Sequence, residues 1–156
     1  MAANGYGMKV IYNDVLDIKP ESLNFPATAV DKATLYGQAD ILTLHVTMIP
    51  GNDNMIGREQ LATMKPDAIL INTSRGEILD AHALADAIRN KKLHGAALDV
   101  YWPEPPPADF PLLGFDNVLL TPHLAARTGT ALENMSWVVR DVMAVLNGQT
   151  PKCPAP

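Results

Sequence analysis

The 156-residue chain predicts an α/β fold, a Rossmann-like doubly wound parallel sheet. Three observations carry that expectation. Short runs rich in Ile, Leu and Val recur along the chain without strict apolar–polar alternation, the pattern of strands buried on both faces in a parallel sheet. Amphipathic stretches with helix caps separate them, which makes βαβ units. Polar stretches directly follow three of the runs, where open α/β sheets place their ligands.

The elements follow in order. MKVIY at 8–12 is the first strand, and ATAV at 27–30 is a shorter candidate. Asp31 suits an N-cap for KATLYGQA, because its carboxylate can accept an orphan backbone N–H of the first turn. ADILTLHV at 39–46 is the next strand. Arg58 to Met64 forms a short helix stopped by Pro66, with Lys65 in its last turn. AILIN at 68–72 is a strand. Asp80 caps AHALADAIRNKK, in which Leu84, Ala87, Ile88 and Lys91 fall at helical spacing and basic residues suit the dipole of the last turn. GAALDV at 95–100 and NVLLTP at 117–122 complete the strands. Between them WPEPPPADFP at 102–111 is a rigid, exposed connection, since proline lacks the N–H that a ladder needs. Thr128 or Thr130 opens a long helix through Leu146, closed by Asn147-Gly148 and then Pro151. Its apolar positions are Trp137, Val138, Met143, Ala144 and Val145.

Bulk properties narrow the function. The chain is 47% hydrophobic and 19% charged, with net charge −5 and twelve scattered Lys and Arg. That excludes a nucleic-acid footprint, which needs a basic patch. The apolar runs are too short to cross a bilayer. The N-terminus has no basic region followed by an apolar core, so a cytoplasmic location is expected. The single Cys153, in the tail PKCPAP, cannot form an internal disulfide. No His/Cys/Asp cluster has metal-ligand spacing, so no metal site is expected. His82 and His94 read as ordinary surface or boundary residues.

The three polar stretches are NTSRGE at 72–77, DVYWPEP at 99–105 and TPHLAART at 121–128. Taken singly, Arg75 is a surface charge at a turn, Glu104 a solvated loop carboxylate, and His123 a polar strand end. At three consecutive strand ends they read better as one site. Arginine offers a planar donor fork that matches a carboxylate. Histidine gives or takes a proton near neutral pH. A carboxylate hydrogen-bonded to that histidine favours its charged form. A clamp, an acid and a tuning partner suit reduction of a 2-keto acid.

INTSRGEILD, HGAALDVYWPEPPP and NVLLTPH resemble the NAD-dependent D-2-hydroxyacid dehydrogenase family, which includes glyoxylate/hydroxypyruvate reductases and phosphoglycerate dehydrogenases. The resemblance covers about residues 8–148. It implies that Arg75 holds the substrate carboxylate, His123 is the general acid–base, and Glu104 pairs with His123. It implies that Asp99 binds the nicotinamide carboxamide, that His45 and Val46 line the adenine-ribose side, and that the Thr73 backbone approaches the nicotinamide end. Asp14 would accept hydrogen bonds from the adenosine ribose and repel a 2′-phosphate, so NAD is favoured over NADP. The expected partners are a small 2-keto or 2-hydroxy acid and further copies of the chain in a homo-oligomer.

The chain also departs from the family pattern. Residues 1–150 are expected to form a partial NAD-binding domain, followed by a tail at 151–156. The first strand, its GxGxxG phosphate turn and the substrate domain are expected to be absent, with residues 1–7 as the tail of the helix after that turn. Such a gap would leave unpaired edges beside MKVIY. Thr47 stands where the family usually has proline, and LAART replaces a Gly-rich turn. The chain is therefore expected to have little activity alone. Two alternatives stay open: a non-catalytic domain serving oligomerisation or regulation, and a formate dehydrogenase-like enzyme. That branch shares the Trp-Pro-x-Pro segment but typically carries glutamine where this chain has Glu104.

Overall fold

The computed structural model describes residues 6–154. Two compact units divide the chain, Met1–Leu120 and Thr121–Pro156. In the first, the expected alternation of strands and helices is observed. The strands are β1 (Ile11–Tyr12), β2 (Thr28–Ala29), β3 (Ile41–Leu44), β4 (Ile69–Asn72), β5 (Gly95–Leu98) and β6 (Val118–Leu120). The helices are α1 (Lys32–Gln38), α2 (Arg58–Thr63) and α3 (Ala81–Arg89), with 3-10 turns at Pro20–Ser22 and Gly76–Ile78. The second unit holds α4 (Gly129–Ser136) and α5 (Val138–Leu146).

All strand pairs are parallel. β3, β4, β5 and β6 form one sheet in that order, and β1 pairs with β2 in a separate two-stranded sheet. Only two residues of MKVIY enter a strand, and β2 is its only partner among the described residues. A strand hydrogen-bonded along one side over two positions has little to extend it. The helix tail expected at residues 1–7 lies mostly outside the described residues; Tyr6 and Gly7 form a turn.

The caps act as the sequence suggests. The Asp31 carboxylate accepts from the Thr34 amide at 2.7 Å, and Asp80 from the Ala83 amide at 2.9 Å. α3 ends at Arg89, earlier than the spacing implies. Lys91 instead takes a left-handed φ of 54°, and the Lys92 amide turns back to the Ala87 carbonyl at 2.8 Å. The long helix expected up to Leu146 is divided at Trp137, with Thr128 as its N-cap. It closes as expected at Gly148, where φ is 71°.

The core lies between the helices and one face of the four-stranded sheet. Leu42, Leu44, Leu70, Ala96 and Leu98 point into it from the strands and are buried. Leu61 of α2, Leu84 and Ile88 of α3, and Ile56, Ile78, Leu93 and Leu112 from connections meet them. Each such fully buried leucine or isoleucine contributes about 1.5–3 kcal/mol of transfer free energy. That packing makes the sheet a rigid platform for whatever its carboxyl edge carries.

Candidate functional site

The register of the sheet aligns its strand ends. Leu44 stands opposite Asn72, Asn72 opposite Leu98, and Leu98 opposite Leu120. The residues that leave β3, β4 and β5 are therefore His45, Thr73 and Asp99, a row with strand spacings of about 4.8 Å. These are three of the residues expected to touch a cofactor, and the sheet places them side by side.

His45 is exposed, and its Nε2 lies 2.9 Å from the Thr43 hydroxyl. Val46 is half-buried against the core. Thr73 is exposed, whereas Asp99 is only 5% exposed, with its amide held by the Asn72 carbonyl at 3.0 Å. Asp14 lies apart from this row, on the exposed connection after β1. Its carboxylate accepts from the Leu16 amide at 2.9 Å, which folds the chain back just beyond the strand.

Arg75 follows β4 by three residues, in extended backbone with φ −144° and ψ 141°. Its side chain is exposed, and one guanidinium nitrogen donates to the Ser74 carbonyl at 2.7 Å. Glu104 is exposed on the proline-rich connection after β5. Gly76 brings the two loops together. A β-carbon there would fall on the carbonyl of Tyr101, so only glycine allows this approach. Tyr101 is itself fixed, with its ring edge-on to Phe110 and its hydroxyl donating to the Leu98 carbonyl at 3.2 Å. His123 belongs to the second unit and follows β6 by three residues. It is half-buried, takes a left-handed φ of 52°, and its amide donates to the Thr121 carbonyl at 3.0 Å. That conformation is uncommon for a residue with a β-carbon.

Sequence reasoning passed over Asn72. It is 0% exposed, and its side chain makes three hydrogen bonds inside the loop that carries Arg75. The signal was present: AILIN is an apolar strand that ends on an amide. The contact of Gly76 with Tyr101 has no local sequence signature.

Comparison with known proteins bears on this geometry. The family model described as "D-isomer specific 2-hydroxyacid dehydrogenase, NAD binding domain" matches residues 1–125. The chain is 38% identical over 152 residues to glyoxylate/hydroxypyruvate reductase B of Enterobacter agglomerans, covering 97% of this chain and 47% of that protein. It is 40% identical over 149 residues to D-3-phosphoglycerate dehydrogenase of Methanocaldococcus jannaschii, covering 94% of this chain and 28% of that protein. The crystal structure of D-lactate dehydrogenase with NAD+ from Lactobacillus jensenii superimposes with a TM-score of 0.89 at 36% identity, covering 98% of this chain and 50% of that one. The chain thus spans about half the length of the first of these curated relatives, and less of the second.

The residues present have the donor and acceptor chemistry that a dinucleotide requires. A carboxylate at the Asp99 position can accept from a carboxamide, and its backbone is locked to β4. Thr73 beside it is exposed and offers its main chain. The Asp14 carboxylate has the acceptor chemistry that ribose hydroxyls require.

Proposed function

The chain belongs to the D-isomer specific 2-hydroxyacid dehydrogenase family, and from that premise we propose that it carries the NAD-binding and proton-transfer residues for interconverting a 2-keto acid and a D-2-hydroxy acid. The observation that carries the proposal is the register-aligned row of His45, Thr73 and Asp99, with Arg75 held just beyond it. NADH held by these residues would supply the hydride. Arg75 anchors the substrate carboxylate through its donor fork and so sets the position of the carbonyl next to it. His123 gives its proton to the carbonyl oxygen on reduction and takes one back on oxidation. Glu104 is the carboxylate that the family resemblance pairs with this histidine. Glutamate rather than glutamine favours a hydroxy acid over formate, because formate oxidation asks no proton of the histidine.

The same reading includes a homo-oligomer in the cytoplasm. It is supported by the exposed apolar side chains Leu132, Met135, Val139, Val142 and Leu146 on α4 and α5, and by the lone thiol of Cys153.

Fluorescence titration with NADH, followed by an assay of glyoxylate and hydroxypyruvate reduction, tests the proposal. Saturable binding is expected, with turnover by this chain alone well below ordinary enzymatic rates; turnover at ordinary rates would overturn the expectation of little activity alone. Replacing His123→Asn should lower kcat by about a hundredfold or more, while Arg75→Gln should mainly raise the keto-acid KM. No NADH binding would favour the non-catalytic alternative, and formate-dependent reduction of NAD+ would favour the formate branch.

A further inference from the structure

Asn72 is the one uncharged polar side chain fully buried at the carboxyl end of a strand in the four-stranded sheet. Burial of an amide is unfavourable unless its hydrogen bonds are made. Here they are made within four residues. Its Nδ2 donates to the Arg75 carbonyl at 2.8 Å. Its Oδ1 accepts from the Ser74 amide at 3.0 Å and the Ser74 hydroxyl at 2.9 Å. The side chain thus ties both ends of the Ser74-Arg75 peptide to the end of β4. One residue on, Gly76 packs directly on the Tyr101 backbone, at the base of the connection that carries Glu104. The Asn72 main-chain carbonyl holds the Asp99 amide at 3.0 Å. One residue therefore touches the loop of the proposed carboxylate clamp through its side chain and the proposed carboxamide ligand through its backbone.

We propose that Asn72 is a positioning residue: its buried amide fixes the backbone of Arg75 relative to the row of strand ends, so that the guanidinium starts from one place. Ser74 is the second member of the bracket. This rests on the enzymatic reading for its purpose, but the bracket itself is independent of turnover. An apolar residue of similar size would fill the space and leave the Arg75 carbonyl and Ser74 amide without these partners. Arg75 would then sample several backbone states, and a clamp that must be ordered on binding holds its substrate less tightly.

The test compares Asn72→Ala and the milder Ser74→Ala with the unmodified full chain by two measurements. Amide hydrogen exchange reads the bracket. In Asn72→Ala, exchange at residues 74–76 should speed up by about tenfold, the worth of one hydrogen bond, while the amides of β4 and β5 keep their protection and show that the fold is intact. Steady-state kinetics read the purpose. The keto-acid KM should rise about tenfold in Asn72→Ala and roughly two- to threefold in Ser74→Ala, with the NADH KM within about twofold. A merely structural role would instead move both KM values or neither. Unchanged exchange at 74–76 would overturn the bracket. Faster exchange with an unchanged keto-acid KM would overturn its positioning role. If the unmodified chain reduces no 2-keto acid, the enzymatic reading fails, and the exchange data alone decide whether Asn72 holds the Arg75 loop.

Discussion

The two units use the same kinds of residue to different ends. In Met1–Leu120 the apolar side chains meet: Leu70, Leu84, Ile56 and Ile78 are 0% exposed. In Thr121–Pro156 the helices bury no residue at all, and Val138, Val139, Val142, Val145 and Leu146 are each more than half exposed. The side-chain contacts of α4 and α5 among the described residues include local ones. The Thr128 hydroxyl accepts from the Ala131 amide at 3.1 Å, Asp141 accepts from the Lys152 and Cys153 amides at 2.8 and 3.2 Å, and the Arg140 guanidinium lies 4.5 Å over the Trp137 ring. Helices of eight and nine residues are marginal on such contacts alone, because nucleation is costly and only tertiary burial repays it. An amphipathic pattern specifies a helix in both units, but it yields a core only where two apolar faces come together.

The largest expected effect lies in the first unit. Leu84→Ala removes a side chain with no exposure, flanked by Ala83, Ala85 and Ile88 on the buried face of α3. Loss of transfer free energy plus a residual cavity should cost about 2–5 kcal/mol, seen as a lower urea midpoint for the sheet-bearing unit. The contrast breaks if the midpoint stays where it was.

Thr128→Ala should cost about 1 kcal/mol of helix stability. It removes the acceptor for the Ala131 amide and nothing from a core. Helical signal at 129–136 should fall, as read by residue-resolved chemical shifts; an unchanged signal would show that the Thr128 cap does not hold the first turn of α4.

The same division explains what the sequence made legible. Strands β3 to β6 were readable because continuous apolar runs have few other uses in a chain with this charge content. Their limits were trimmed to the positions that find a ladder partner, and MKVIY kept the smallest share, two of its five residues, with one side of β1 paired among the described residues. Asp31, Asp80 and Gly148 were readable because a cap is a local device. Lys91 misled because helical spacing does not register a left-handed residue. For the site, the strand-end placement of Thr73, Arg75 and Asp99 followed from the runs that precede them. Asn72 and the Gly76–Tyr101 approach did not, since both are contacts between backbone and side chains that converge only after the sheet has formed.

The smallest effect separates core burial from surface charge within the first unit. Asp86 of α3 receives a hydrogen bond from Arg58 of α2 at 3.0 Å, and Arg89 lies 2.9 Å from its other oxygen. The Arg58 hydrogen bond, followed by the charges of Arg58 and Arg89, holds its carboxyl below the ordinary value of 3.8. A carboxylate with a lowered folded-state pKa stabilises the fold above its unfolded pKa, and that contribution is lost as pH falls through the folded value. Asp86→Asn should therefore lower stability slightly at pH 7, and the difference from the unmodified chain should shrink to nothing as pH drops well below 3.8. Both arginines and the aspartate remain substantially exposed, so water and salt screen the link. Urea midpoints measured at pH 7 and in acid, each at low and high salt, check this. A difference that persists in strong acid, or that does not shrink with salt, would show that Asp86 acts through packing between α2 and α3 and that charge is not what joins them.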